Sequence, residues 1–260
     1  MENTPTLPTR YTFIEEIGEG ATCIVYRAND HKLDRHVAIK VVRRNLAIHA
    51  RFRARFRREV AMSAEVVHPR VIPVLDTGRL ENGCPYVSLA NADQGSLSDL
   101  LKQRPPMAEA IRLMEHVLDA LAHIHARGFL HQALNPANVL LHTSSNGTTD
   151  AWVADLGFAG AVTELALRQQ GMGGTPVWMA PEQRAGRYAE LGPWTDLYAV
   201  GLMLFEILGG NRSGQEPGTR KLLDPLPMGP LGLDPMVPTS LEEVVRNLLQ
   251  PDPRQRYDRA

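Results

Sequence analysis

Long apolar runs are absent from this 260-residue chain. No stretch approaches the roughly 20 consecutive apolar residues that a membrane helix needs, so no membrane segment is expected within it. Cysteine is scarce: Cys23 and Cys84 are the only two, too few for a disulfide framework and in keeping with a reducing, cytoplasmic setting. Neither sign of charge is in excess, with 28 Lys and Arg against 29 Asp and Glu and a net charge of −1. That balance argues against broad capture of nucleic acid or of anionic membranes. The opening residues, M-E-N-T-P-T-L-P-T-R, lack the apolar core of a signal peptide. A membrane anchor beyond residue 260 stays an open alternative. Internal repeats are also missing.

What is present is a change of period along the chain. Strand-like runs at Tyr11–Ile17, Thr22–Arg27 and His36–Val42 alternate with glycine and polar turns, which predicts an antiparallel meander. From Ala50 to Val67 the period is helical: Phe52, Phe56, Glu59, Ser63 and Val66 share one face, and Arg51, Arg53, Arg55, Arg57 and Arg58 take the remainder. Strand-like segments recur at Val71–Thr77 and Tyr86–Leu89. Beyond Met107 the pattern turns helical, with Ile111, Met114, Leu118, Leu121 and Ile124 in register. Trp194–Leu208 is apolar on nearly every side, as a buried helix would be, and Leu241–Leu249 is amphipathic. Gly209–Pro238, dense in glycine and proline, reads as mostly irregular. The fold class expected is α+β, a small β-rich part with one main helix followed by a larger helical part.

Several short patterns carry chemistry. Ile17-Gly18-Glu19-Gly20 sits between two strand patterns and leads to Val25. Alone, such a pair of glycines more often means a hairpin turn, but it would also let a backbone close over phosphates with no Cβ in the way. Cys23 within it reads as a tolerated small residue rather than a redox switch, because reactivity needs a lowered pKa. Val37-Ala38-Ile39-Lys40 ends an apolar strand in a cation. Glu59 is the only carboxylate on the apolar face of its helix, and a buried charge demands a partner, so Lys40 and Glu59 explain each other. Further on stand His131-Gln132-Ala133-Leu134-Asn135-Pro136-Ala137-Asn138 and, 17 residues past Asn138, Asp155-Leu156-Gly157. Alone, the latter reads as a turn after a strand. Gly174-Thr175-Pro176-Val177-Trp178-Met179-Ala180-Pro181-Glu182 follows.

In this order, these segments resemble the motifs of the eukaryotic-like (Hanks-type) serine/threonine protein kinases of bacteria, over residues 11 to 260. The resemblance implies one bilobal domain over 1–260, with an N-lobe to about residue 92, a hinge at about 90–93 and a C-lobe from about 93. By the same resemblance, the family's terminal helix is expected either to be missing or to lie beyond the last residue. It further implies ATP and magnesium as cofactors. Ile17, Gly18, Gly20, Val25 and Ala38 would enclose the nucleotide, and Lys40, paired with Glu59, would reach its α- and β-phosphates. Leu89 would guard the back of the adenine pocket, Ala90 to Ala92 would offer backbone groups, and Leu140 would form the floor. Asp93 or Ser96 could meet the ribose. Asn138 and Asp155 would hold the metal. Glu182 would pair with Arg256, and Asp196 would cap and anchor the buried helix beneath the catalytic loop.

The departures from the family pattern cluster in one loop. Gln132 stands for Arg, Ala133 for the catalytic Asp and Asn135 for Lys. A methyl group cannot accept a proton or orient a hydroxyl, so no catalytic residue is expected. The segment Leu156–Gly174 has a single hydroxyl residue, Thr163, leaving an Arg at 132 no cluster of phosphosites to read. Binding groups are present and transfer groups are gone. The expectation is a pseudokinase that binds ATP and signals through protein partners. The alternatives are a very slow or non-standard ATP-dependent transferase and a docking domain that binds no nucleotide.

Overall fold

The computed structural model describes residues 6–156, 176–209 and 231–260. Five strands form one antiparallel sheet: β1 (Tyr11–Glu19), β2 (Cys23–Asp30), β3 (Arg35–Val42), β4 (Val74–Arg79) and β5 (Pro85–Ala90), in the order β1-β2-β3-β5-β4. Between β3 and β4 lie a short helix α1 (Arg44–Ala47) and the main helix of this lobe, α2 (Ala50–Glu65). Alanine, arginine and glutamate favour helix throughout α2. Its apolar stripe buries Phe56 and Val60 against the sheet, around Ile39, Val41 and Tyr86. Full burial of a side chain such as Phe56 contributes about 1.5–3 kcal/mol.

The larger lobe is mostly helical. It contains α3 (Leu97–Lys102), α4 (Met107–Ala126), α5 (Pro181–Arg184), α6 (Pro193–Ile207) and α7 (Thr239–Leu248), with a two-stranded hairpin of β6 (Val139–Thr143) and β7 (Thr149–Val153). Helix α4 stops where Gly128 takes a φ of +77° and its N–H bonds the His125 carbonyl, the left-handed ending that glycine tolerates best. Helix α6 is buried continuously from Thr195 to Phe205. A Cβ on Gly201 would lie 2.8 Å from the Leu248 Cβ, so only glycine lets α7 lie this close to α6.

Hydrogen bonds pin both chain connections between the lobes to the hairpin. The residues after β5 are tied to β6, with Gln94 N–H donating to the Leu141 carbonyl (3.0 Å) and Leu141 N–H to Gly95 (2.8 Å). Before β4, Ile72 N–H donates to the Val153 carbonyl (3.0 Å), Val153 N–H donates to Arg70 (2.8 Å), and the Arg70 side chain pairs with Asp150 at 2.5 Å.

The α+β architecture and the element order match the sequence expectation. The β6–β7 hairpin and the short helices α1 and α3 were not expected. Gly157, Thr163, Gly174, Thr175 and residues 210–230 of the irregular stretch lie outside the described residues. Among the described residues no helix is long and apolar enough to cross a membrane.

Candidate nucleotide site and catalytic loop

The antiparallel register decides what faces the cleft. Val25 lies opposite Lys40, Lys40 opposite Val87, and Ala38 opposite Leu89. Period-two alternation therefore puts all five side chains on one face. Neither Gly18 nor Gly20 has a positive φ, and a Cβ on either would make only ordinary contacts, the closest 3.5 Å from the Cys23 carbonyl. Among the described residues nothing demands glycine at these two positions. Ile17 is exposed at the mouth of the cleft, and Cys23 is buried with its thiol pushed up by desolvation, unsuited to redox signalling.

Lys40 Nζ lies 2.5 Å from Asp155 Oδ1. Burial opposes the ammonium charge most strongly, but Asp155, Cys23 and Glu59 together outweigh it and the Lys40 pKa rises. The expected Lys40–Glu59 ion pair is not formed. Glu59 Oε1 instead accepts from Arg55 Nε at 2.8 Å, one turn back on α2. Burial raises the Glu59 pKa, Arg55 opposes the rise, and Lys40 acts on it only through space. The i,i+4 spacing of opposite charges was the available signal for this local partner. A small cavity opens between α2 and the sheet, lined by Lys40, Val60, Ser63, Leu89, Asp155 and Leu156.

The two ribose candidates are committed elsewhere. Asp93 accepts from Thr143 N–H and Oγ1–H, both at 2.8 Å; burial pulls its carboxyl up, but these bonds more than offset that and hold it low. Ser96 is the N-cap of α3, closing a capping box with Asp99. Ala90 N–H is bonded to the Pro73 carbonyl at 3.0 Å. Leu140 pairs with Trp152 across the hairpin and bridges to Ser96.

The catalytic-loop region is held from below. Asp196 accepts from His131 N–H (2.8 Å) and Gln132 N–H (2.7 Å), and pairs with His125 Nε2 at 2.8 Å. The anchoring role expected of Asp196 is correct, but the cap is not: Gly192 is the N-cap of α6, and its N–H donates to Thr195 Oγ1. His131 is fully buried. Its Nε2–H donates to the Ala154 carbonyl and its Nδ1 accepts from Ala133 N–H, which fixes one neutral tautomer, and burial lowers its pKa accordingly. Gln132 and Asp155 both adopt left-handed backbone, with φ of +61° and +63°. Gln183 Nε2 donates to the Gln132 carbonyl and helps hold it there. Sequence reasoning did not single out His125, Gln183 or Thr195.

Asn135 is turned into the loop. Its Oδ1 accepts from Ala137 N–H (2.9 Å) and Asn138 N–H (3.3 Å), and its Nδ2 donates to the Ala133 carbonyl (3.0 Å). Asn138 Nδ2 donates to the same carbonyl at 2.8 Å, which leaves its Oδ1 for another partner. Asn138 and Asp155 are brought together because Ala154 N–H bonds the Asn138 carbonyl at 2.9 Å. Behind the loop, Arg256 and Glu182 form a fully buried bidentate pair at 2.8 and 2.9 Å. All five Arg256 N–H donors are used, the other three by the carbonyls of Gln250, Trp194 and Pro251. Thr195 Oγ1 also donates to Glu182.

A five-stranded sheet with one helix, a helical lobe, and a lysine facing an aspartate between them define a protein kinase fold. The protein kinase domain family matches residues 11–259, and the chain belongs to it. Among curated proteins it is 36% identical over 257 residues to the probable serine/threonine-protein kinase PknB of Lactococcus lactis, covering 95% of this chain and 40% of that protein. The serine/threonine-protein kinase PrkC of Bacillus subtilis is 30% identical, covering 96% and 39%. The chain thus spans about two fifths of the length of these relatives. Among solved structures, a double mutant of the Mycobacterium tuberculosis PknI kinase domain superposes with a TM-score of 0.75 at 26% identity, covering 100% of this chain and 95% of that one.

Proposed function

We propose that this kinase domain binds ATP with magnesium in its cleft, does not transfer the γ-phosphoryl group, and acts through its conformation and its protein contacts. The observation that carries the proposal is the loop at Ala133. Its backbone is held by hydrogen bonds at the Ala133 N–H and carbonyl, yet it presents a methyl group where the family's catalytic Asp accepts a proton, and Asn135 is folded into the loop rather than extended toward a phosphate. Losing a general base costs about 10²–10⁴-fold in rate, and losing a charge-stabilising donor costs on the order of 10²-fold more.

The residues present fit magnesium bound jointly with phosphates. Asn138 Oδ1 and the Asp155 carboxylate are hard oxygen donors, too few for a cage made of protein alone, and magnesium ordinarily takes one or two carboxylates plus substrate phosphates. Among the described residues no group of three or more acidic, His or Cys side chains could hold a metal unaided. Bound there, the ion would neutralise phosphate charge. Lys40 would meet the phosphates, Gly18 and Gly20 would leave room for them, and Ala38 and Leu89 would pack against the base. The free, buried cysteines suit a cytoplasmic location.

A thermal-shift titration tests binding. ATP-magnesium at about 100 times its Kd stabilises by about 2.7 kcal/mol, on the order of 5–10 °C in Tm for a chain of this size. Lys40→Met and Asp155→Asn should each remove most of the shift. No shift in folded protein rejects nucleotide binding and leaves a docking domain. The names of the relatives favour one rival, a slow kinase. Transfer of label from γ-labelled ATP by the unaltered chain, lost in Lys40→Met, would establish that rival instead.

A further inference from the structure

The segment from Arg43 to Arg58 has seven arginines and no acidic residue. Three of the seven have structural work. Arg43 binds the Gly20 carbonyl and Glu19, Arg53 binds the carbonyls of Ala47 and Ile48 at 2.7 and 2.9 Å, and Arg55 holds Glu59. Arg44, Arg51, Arg57 and Arg58 are exposed, with no ion-pair partner among the described residues. The arrangement works against helix α2 itself. Its first turn has no acidic residue and its N-cap, His49, makes no side-chain bond, while cations near a helix N-terminus oppose the helix dipole. A solvated helix face ordinarily mixes signs at i,i+4. This one has arginines among alanines: Arg51, Ala54, Arg58 and Ala61 run along one exposed strip, with Arg57 beside it. Arginine enrichment with few lysines and glutamates is the composition of an interface, and the small alanines let a partner backbone approach closely.

We infer that this strip of α2 is a docking surface for an extended, Asp/Glu-rich segment of a partner protein. The inference is independent of whether nucleotide binds. Charge complementarity selects an anion, and spacing selects its kind. Arg51 and Arg58 stand about 10 Å apart along the axis, which matches acidic side chains on every third residue of an extended polyproline II segment, where three residues make one turn and advance about 9 Å. Arg57 projects about 100° round the helix from Arg58, so the guanidinium groups do not converge on one phosphate. Stacking platforms for a nucleic acid are missing, since the only exposed aromatic residues among those described are Tyr188 and Tyr257, both in the other lobe. Beside the strip, Arg53 ties the α1–α2 corner together through two carbonyls.

The test is fluorescence anisotropy with the full chain and a labelled peptide in which Glu or Asp recurs at every third position among Gly and Ser. Binding is expected at low salt and should weaken toward about 150 mM salt. The double variant Arg51→Glu/Arg58→Glu should lose about tenfold or more in affinity, whereas Arg254→Glu in the other lobe should change nothing. Glu at position 51 lies in the first turn of α2, where an anion is favourable, and Glu at the exposed mid-helix position 58 is a good helix former, so the double variant should fold, as far-UV circular dichroism would confirm. Any of four results overturns the inference: no peptide binding by folded protein at low salt; equal binding by the double variant; tighter binding of a singly phosphorylated peptide or of RNA; or self-association, abolished by the same variant, with no peptide binding.

Discussion

Glu59 is held by Arg55, at 2.8 Å on its own helix, while Lys40 stands 2.5 Å from Asp155. Two ion pairs thus sit side by side beneath the sheet where a Lys40–Glu59 pair was expected. Glu59 is nearly buried, and desolvation makes its ionised form unfavourable despite Arg55.

The pH dependence follows from that raised pKa. Folded protein holds the Glu59 proton to higher pH than unfolded chain does, so this group's contribution to stability is present below the ordinary value of 4.5 and lost as pH rises through the folded-state value. Glu59→Gln removes the loss. Its Tm advantage over the parent should grow as pH is raised from 4.5 toward neutrality. The other perturbed carboxyls, Asp30, Asp93, Asp99 and Asp150, are all lowered from 3.8 and act in the opposite direction at lower pH. Melting curves across the range would show the divergence, and parallel curves would contradict it.

Restoring chemistry at the loop has an asymmetric outcome. Ala133→Asp should leave the fold intact, since the Ala133 N–H and carbonyl already make their bonds. Asn135→Lys removes a side-chain oxygen that caps two backbone N–H groups, so it should cost about 0.5–2 kcal/mol on its own. With labelled ATP, the double change should gain more transfer than the two single changes together, because both groups act on one transition state. Silence from the double mutant, with ATP binding intact, would put a second block elsewhere.

Arg256→Ala leaves the Glu182 carboxylate buried without its cation. The expected loss is about 3–5 kcal/mol in chemical denaturation. Arg256→Lys should also be poorly tolerated, because an ammonium offers three donors where five are used. A lysine variant as stable as the parent would rule out the importance of the fork geometry.

Asp196→Asn keeps the size but gives up the charge and one acceptor oxygen, where the carboxylate now serves three N–H groups. At least one of His125, His131 and Gln132 loses its partner, at a cost of about 1–3 kcal/mol. Faster amide exchange at His131 and Gln132 would locate the damage in the loop.

Most of the fold was legible because its periods are strong. β1 to β3, α2, α4 and α6 follow alternation or helical spacing and fell within a few residues of expectation. The β6–β7 hairpin was not legible: Val139-Leu140-Leu141 is apolar without alternation, and each strand has only five residues. Around the cleft, spacing and motif pointed to Lys40, Asn138 and Asp155, which the structure brings close together, and to the Glu182–Arg256 pair, which it forms. The errors arose where a nearby side chain competes. Arg55 reaches Glu59 before Lys40 does, Thr143 occupies Asp93, and the α3 N-terminus occupies Ser96. No motif records such local competition.

The pinning of both chain connections between the lobes has a mechanical consequence. One connection is held at Gln94–Gly95 against β6, the other at Arg70–Ile72 against β7. Arg127 adds a bond to the carbonyl of Glu65, the last residue of α2. Load placed on the upper lobe is therefore delivered to one small hairpin, β6–β7, whose two ends lead directly to Asn138 and to Asp155.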